Sequence, residues 1–112
     1  PNGYVEGPCM LKRNGAYHFM WSQGGWTNGT YHVCSSHSSS PLKIVPEGKV
    51  ILDSSDLANG PGHNGQLNIP GTDKWLMVYH RRIIGDPERG HRMLCIDALN
   101  FDGDEILPVQ MT

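Results

Sequence analysis

The stretch that decides the fold is GYVEGPCMLKRNGAYHFMWS, residues 3–22, in which two turn sequences each lead into a run typical of a β-strand. The clearer run is Ala16–Ser22. Its aromatic residues Tyr17, Phe19 and Trp21 recur at every second position, so they share one face of an extended strand. The stretch therefore predicts two successive strands joined by a turn.

The composition is that of one small globular domain. Hydrophobic residues make up 38% of the 112 residues and charged residues 18%, which is typical of folded rather than disordered chains. The formal net charge is −2 and no apolar run is long enough to span a bilayer, so we expect neither nucleic acid nor a membrane as a partner. The sequence predicts a single unit over residues 1–112.

The three cysteines, Cys9, Cys34 and Cys95, are an odd number, so at least one has no partner within the chain. They show neither a CxxC motif nor the Cys/His spacing of a zinc site. Each lies in an alternating run, which predicts buried free thiols that pack as small hydrophobic side chains. Free thiols favour a reducing compartment, so the cytoplasm is favoured slightly over secretion.

Short alternating runs separated by Gly- and Pro-containing turns continue along the chain, and no run of ten or more residues has a helical period. The segment Asn59-Gly60-Pro61-Gly62 is predicted to interrupt the strands. The expected fold class is all-β. The predicted strands are Cys9–Lys12, Ala16–Ser22, Thr30–Ser36, Val50–Asp53, Gln66–Ile69, Lys74–His80, Arg92–Leu99 and Glu105–Gln110.

The order of strands and turns in the first half recurs in the second. Trp75, Met77 and Tyr79 correspond to the aromatic strand of the first half, about 58 positions later. The repeat predicts two four-stranded antiparallel units, residues 1–58 and 59–112. Tandem units of this kind are typical of β-propeller blades, but a sandwich of two sheets fits the spacing equally well. Two blades expose two flanks, which favours completion or covering by association.

A single carboxylate and a single imidazole occupy matching places in the two repeats. Glu6 precedes the first strand of one unit in Val-Glu-Gly-Pro, and His63 precedes the first strand of the other in Gly-Pro-Gly-His. In a propeller these places meet at a shared axial mouth, where glycine lets the backbone approach closely. The functional hypothesis is one polar pocket that holds both side chains. The structural alternative is a pair of solvated turn residues.

Three stretches together resemble the C-terminal part of glycoside hydrolase family 43, over nearly the whole chain. They are YVEGPCMLKRNGAYHFMWS (4–22), GPGHNGQLNIPGTDKWLMVYHRR (60–82) and HRMLCIDALNFDGDEILPVQMT (91–112). The resemblance implies about two blades of a five-bladed β-propeller that hydrolyses arabinose- and xylose-containing glycans, as arabinofuranosidases, xylosidases and arabinanases do.

The resemblance also implies roles for particular residues. Family members hydrolyse with inversion, and the Glu of their EGP motif, matched here by Glu6, is the general acid. An inverting enzyme needs a carboxylate base roughly 6.5–9.5 Å from the acid. The family's base Asp and tuning Asp belong to blades that this chain lacks, so we expect the chain alone to be inactive. The His of the GPGH motif, matched by His63, implies contact with substrate and help in holding calcium, directly or through water; calcium is the one cofactor implied.

Two further residues are candidates for substrate binding. Trp26 lies in a Gly-rich loop where an exposed ring could stack on a sugar, with simple loop packing as the alternative. Arg92 belongs to a basic cluster around residues 83–90 and could bind sugar hydroxyls, with a solvated charged loop as the alternative. Three functions therefore stay open: part of a glycoside hydrolase, a non-catalytic carbohydrate-binding piece, or a self-associating module. Each predicts a homo-oligomer or a complementing propeller chain as partner.

Overall fold

A computed structural model describes all residues, Pro1–Thr112, and consists of β-strands, turns and loops. The all-β prediction is therefore confirmed. The chain forms no helix with the length and apolarity of a membrane span. The strands are β1 (Glu6–Arg13), β2 (Ala16–Gln23), β3 (His32–Ser38), β4 (Lys49–Leu52), β5 (Asn59–Asn68), β6 (Trp75–Arg82), β7 (Met93–Leu99), β8 (Phe101–Asp102) and β9 (Glu105–Ile106).

The first sheet is a four-stranded antiparallel meander in the order β1-β2-β3-β4. Asn14 and Gly15 join β1 to β2 with φ angles of 49° and 78°. Two successive positive φ angles are what a type I′ hairpin turn requires, and Asn-Gly is the sequence that adopts it at least cost. The hairpin then fixes the register in which Leu11 pairs with His18 and Met10 with Phe19.

The second sheet has three strands, in the order β5-β6-β7. The predicted break at Asn59–Gly62 is wrong, because these residues form the first part of the ten-residue strand β5. Two irregularities in the pairing of β5 with β6 accommodate them, one between Asn59 and Gly62 and one between Gly62 and Gly65. Bulges of this kind admit residues that a regular ladder would exclude.

The prediction of a fourth strand over Glu105–Gln110 is also wrong. Only Glu105 and Ile106 are extended, and they pair with β8 in a separate two-stranded hairpin. Pro108 has no N–H to donate, which interrupts a regular ladder at that point. The chain then crosses to the first sheet, where the Val109 N–H donates to the Ile51 carbonyl oxygen at 2.7 Å.

The core lies between the two sheets. Leu11, Met20 and Val33 from the first sheet pack in one cluster with Met77, Tyr79 and Leu99 from the second. Burying each such side chain contributes roughly 1.5–3 kcal/mol. The alternation of β2 and β6 thus orients His18 and Met20 toward the second sheet, and Met77 and Tyr79 toward the first.

The outward faces of the two sheets differ. Trp21 in the first sheet is completely buried, and Gly48 of the loop before β4 lies against its ring. The second sheet leaves Leu67, Leu94 and Ile96 exposed, with Leu94 three-quarters accessible. An apolar face of this kind is typical of a surface that another element covers. The three cysteines are unpaired, with Cys34 buried and Cys9 and Cys95 half-buried.

Candidate functional site

Glu6 is the first residue of β1, opposite Ser22 of β2. The prediction that it precedes the strand is therefore wrong, because β1 begins three residues before the predicted start at Cys9. The ladder is irregular between Glu6 and Cys9, and Gly7 adopts a φ of 66°. A bulge re-aims the side chains beside it, so a charged residue can occupy a strand without entering the core.

His63 lies inside β5, not ahead of it, and has a φ of 52°. Ser22 and His80 are equivalent positions of the repeat, 58 residues apart. Glu6 pairs with Ser22 and Gly62 pairs with His80, so Gly62 is the counterpart of Glu6 in strand register. His63 therefore corresponds to Gly7, which also has a left-handed backbone conformation. The predicted equivalence of Glu6 and His63 is off by one position. A left-handed non-glycine residue is uncommon and costs of order 1 kcal/mol.

The structure brings Glu6 and His63 together across the two sheets. Glu6 Oε1 lies 3.9 Å from His63 Nδ1, with the Glu6 side chain 42% exposed and that of His63 55% exposed. This distance is too long for a direct hydrogen bond but leaves room for a shared polar group. The His63 N–H donates to Ser22 Oγ at 2.8 Å, which ties β5 to the first sheet. The two side chains therefore lie close together on the same side of the molecule.

Tyr31 supplies the closest contact to Glu6. Its O–H donates to Glu6 Oε1 at 2.9 Å, and the residue is completely buried just before β3. Burial is the main cause that raises the pKa of Tyr31 to about 12, and the hydrogen bond to Glu6 acts in the same direction. Tyr31 is therefore a protonated donor at any working pH.

A cleft of about 350 Å³ opens beside His63. His63, Val78, His80, Arg92 and Leu94 are among the residues that line it. Burial, helped by the positive charge of Arg92, lowers the pKa of His80 to about 4. His80 is therefore neutral near pH 7, and its buried Nδ1 has no hydrogen-bond partner. An orphaned buried polar atom is expensive, and a bound ligand or water molecule is one way to satisfy it.

Trp26 and Arg92 meet at the rim of this cleft, although they belong to different halves of the chain. The Arg92 guanidinium lies over the Trp26 ring at 4.7 Å from the centroid, a cation–π contact. Trp26 remains 43% exposed, so its ring is available to a further partner. The two predicted substrate-binding residues thus lie side by side, with Arg92 also in the cleft of His63.

The donors around His63 do not form a calcium site by themselves. No group of three or more His, Cys, Asp or Glu side chains in the chain could hold a metal ion. Calcium prefers six to eight oxygen ligands, and Glu6 is the single carboxylate paired with His63. The calcium prediction stays a prediction, and it requires ligands that this chain does not supply.

No aspartate joins Glu6 at the opening. Three of them are engaged elsewhere: Asp73 with Arg13, Asp86 with His91, and Asp97 with Tyr79 and Thr112. The remaining aspartates are Asp53, Asp56, Asp102 and Asp104. None is a hydrogen-bond or ion-pair partner of Glu6, Tyr31 or His63.

Tyr31 and His80 were missed as site residues because neither is close to Glu6 in sequence. Both lie at strand ends that alternate normally, so periodicity assigned them to the sheets. A signal did exist for His80, since the repeat of about 58 positions aligns it with Ser22 beside Glu6. For Tyr31 no repeat or spacing distinguishes it from a core tyrosine.

Comparison with known proteins identifies relatives. The family described as Glycosyl hydrolases family 43 matches residues 1–107. A β-D-galactofuranosidase named xynD, from Aspergillus niger, is 41% identical over 116 aligned positions that include the whole chain and 34% of the relative. The chain therefore spans about a third of the length of that relative.

Solved structures give the same picture. A thermostable family-43 glycoside hydrolase has a TM-score of 0.81 and 28% identity, over 96% of this chain and 35% of that one. An α-L-arabinanase from Cellvibrio cellulosa, solved with arabinohexaose, has a TM-score of 0.78 and 22% identity, over 94% and 36% respectively. These structures are five-bladed β-propellers, so the propeller interpretation is confirmed over the sandwich. The two sheets correspond to two neighbouring blades.

Proposed function

Because the chain belongs to glycosyl hydrolases family 43, we propose that it is the acid-bearing part of an inverting glycosidase, with Glu6 as the general acid. The observation that carries this proposal is the position of Glu6: its carboxylate accepts a hydrogen bond from buried Tyr31 and lies 3.9 Å from His63, which lines a cleft. A strand carboxylate that is neither buried in the core nor paired with Lys or Arg is available for proton transfer.

The proposed reaction is that of an inverting glycosidase. Glu6 gives its proton to the glycosidic oxygen as the bond between that oxygen and the anomeric carbon breaks. Water attacks the anomeric carbon from the opposite face and gives its own proton to a carboxylate base roughly 6.5–9.5 Å from the acid. That base comes from blades outside this chain, so the chain alone binds without turnover.

The substrate class is an arabinose- or xylose-containing glycan, in line with the family and with the Cellvibrio arabinanase of similar fold. A β-D-galactofuranoside is the second candidate, because the Aspergillus relative that is 41% identical carries that name. His63 and Arg92 would hydrogen-bond sugar hydroxyls, and the exposed face of Trp26 would stack on a sugar ring. Calcium, if it binds, would do so near His63 with ligands from the other blades.

The remaining blades would cover the outward face of the second sheet, where Leu67, Leu94 and Ile96 are exposed. Without them, a second copy of the chain is the alternative partner, and a self-associating piece without catalysis is the alternative function. Ile96→Lys tests whether this face is an interface in either state. It should turn a self-associated chain into monomers on a sizing column, and it should weaken assembly with the missing blades.

The test uses what we call the completed propeller, which is this chain joined to base-bearing blades. These are supplied by a longer natural protein or by co-expression of the matching part of a family-43 relative. Glu6→Gln keeps the shape and the hydrogen bond from Tyr31 but removes the transferable proton. It should lower kcat on 4-methoxyphenyl α-L-arabinofuranoside, β-D-xyloside or β-D-galactofuranoside by about 10²–10⁴-fold.

The matched control is Glu105→Gln, an exposed carboxylate near His37 and Lys49 and away from the cleft. It should leave kcat within about twofold of the wild type, since surface charges far from a site contribute little. Equal activity of the Glu6 variant and the wild type would refute the assignment. Sugar binding by calorimetry without turnover in any completed propeller would favour the non-catalytic alternative.

A further inference from the structure

The Tyr31 ring is held from several sides at the junction of the two blades. A Cβ placed on Gly62 would lie 2.1 Å from Tyr31 Cε2, so the ring occupies the space that any other residue at position 62 would fill. On the second sheet, the ring of His80 stacks on it with centroids 5.7 Å apart and an interplanar angle of 8°. Two residues of the other blade therefore pack directly against the ring.

Glycine at position 62 thus has a local explanation. Its φ is not in the left-handed region, unlike those of Gly60 and His63, so backbone freedom is not the reason. The reason is close approach: the Gly-Pro-Gly segment of the second blade forms the surface against which Tyr31 packs. Glu6 lies on the first blade, so the position of its hydrogen-bond donor depends on a motif in the second blade.

The hydrogen bond itself has a direction that suits an acid. Tyr31 donates to Oε1 of Glu6, which occupies one carboxyl oxygen and leaves Oε2 without a partner in the chain and able to carry the proton. As that proton departs, negative charge develops on the carboxylate, and a hydrogen bond to a charged acceptor is roughly twice as strong as one to a neutral acceptor. The bond therefore stabilises the transition state more than the ground state.

We propose that Tyr31 is a positioning residue for Glu6, which fixes the proton on the Oε2 side and stabilises the carboxylate formed when the proton leaves. This inference rests on the proposed role of Glu6 as general acid. It assigns a task to a buried hydroxyl that core packing does not require, because a phenylalanine would fill the same volume.

The test is a leaving-group comparison in the completed propeller. A 2,4-dinitrophenyl glycoside needs almost no proton to depart, whereas a 4-methoxyphenyl glycoside needs a full one. Tyr31→Phe should lower kcat on the 4-methoxyphenyl substrate by about tenfold and on the dinitrophenyl substrate by less than about twofold. A loss of structure would lower both rates alike, so the ratio separates positioning from folding.

The matched control is Tyr79→Phe, which removes another buried tyrosine hydroxyl that donates to a carboxylate, Asp97 Oδ2, at 2.6 Å. It should leave the ratio of the two rates unchanged. Glu6→Gln should show the same leaving-group dependence as Tyr31→Phe, and more strongly. If Glu6→Gln shows none, the general-acid proposal fails; if Glu6→Gln shows it and Tyr31→Phe does not, only the present inference fails.

A second measurement uses the chain without further blades. A buried, hydrogen-bonded tyrosine hydroxyl proton exchanges slowly enough with water to give a proton NMR signal. Tyr31→Phe should abolish one such signal, and Glu6→Ala should shift or abolish the same one. A hydroxyl signal of Tyr31 that ignores Glu6→Ala would overturn the contact on which the inference depends.

Discussion

The interface between the two blades has different polar contacts at its two ends. At what we call the closed end, Arg13 donates to both carboxylate oxygens of Asp73, at 2.9 and 2.8 Å, and to the Gly103 carbonyl oxygen at 2.7 Å. Its guanidinium also lies over the Phe101 ring, 4.3 Å from the centroid. At what we call the open end, Glu6 and His63 stay 3.9 Å apart and His80 Nδ1 has no partner.

This difference teaches which end holds the sheets together and which end is available for chemistry. The two ends lie at opposite ends of the same strand, since Glu6 begins β1 and Arg13 ends it. A bidentate Arg–carboxylate pair with further hydrogen bonds is a satisfied arrangement that needs nothing more. Unsatisfied and exposed polar groups at the other end are typical of a site that a ligand or a further chain completes.

The largest expected effect on stability comes from filling the open end. Gly62→Ala places a Cβ 2.1 Å from the Tyr31 ring, so the ring or the strand must move. We expect the free energy of unfolding to fall by roughly 1–3 kcal/mol, the usual cost of overpacking. Gly65→Ala, three residues along β5, has no atom within 4 Å of its new Cβ and is the control. Urea unfolding of both variants checks this, and equal midpoints would contradict the described packing.

A smaller effect comes from opening the closed end. Arg13→Met keeps an unbranched side chain but removes the hydrogen bonds and the cation on Phe101, so we expect the free energy of unfolding at pH 7 to fall, by less than in Gly62→Ala because the pair is exposed to solvent. The Arg13 hydrogen bonds lower the pKa of Asp73, so this stabilisation is present above about pH 4 and is lost as the pH falls below it. Urea unfolding at pH 7 and pH 3 should show a smaller difference between wild type and variant at pH 3. A constant difference would argue against the pair.

The smallest effect is a pH dependence at the open end. Burial lowers the pKa of His80 to about 4, below its ordinary value of about 6.5, so the unfolded chain binds the extra proton first. Stability should therefore fall as the pH decreases from about 6.5 toward 4. The charged groups that act on His80 are Arg92, His63 and Glu6.

His80→Gln removes this titration. Between pH 7 and pH 5 the wild type should lose about 1 kcal/mol more stability than the variant, a figure reduced for the partial exposure of the site. Thermal or urea unfolding across this pH range measures the difference. Parallel pH profiles for the two proteins would mean that His80 is solvated and the open end is not strained in this way.

The regular parts of the fold were predictable from sequence. The strand predicted at Ala16–Ser22 is present and extends one residue further, to Gln23. It was predictable because aromatic residues that alternate with period two identify a half-buried strand. The Gly-Pro-Gly segment was misassigned, because the same residues that break strands also occupy bulges, and only pairing with β6 shows which applies. The prediction of a fourth strand in the second blade was wrong, because the Val109 N–H donates to the Ile51 carbonyl oxygen of the other sheet.

The open end was predictable in part. The repeat brought Glu6 and His63 together within one residue of register, because equivalent strands of neighbouring blades converge at one end. Tyr31 was not predictable, since its contacts with Glu6, Gly62 and His80 join residues far apart in sequence and no periodicity encodes them.

The most direct test of the central claim, that the open end is a catalytic site built around Glu6, is the pH profile of kcat/KM for the completed propeller. With a 4-methoxyphenyl glycoside, the wild type should lose activity at high pH as its general acid deprotonates. Glu6→Gln should show a low rate without that alkaline decline, while Arg13→Met keeps the wild-type profile. An alkaline decline of the same shape in Glu6→Gln would place the acid elsewhere and contradict the account.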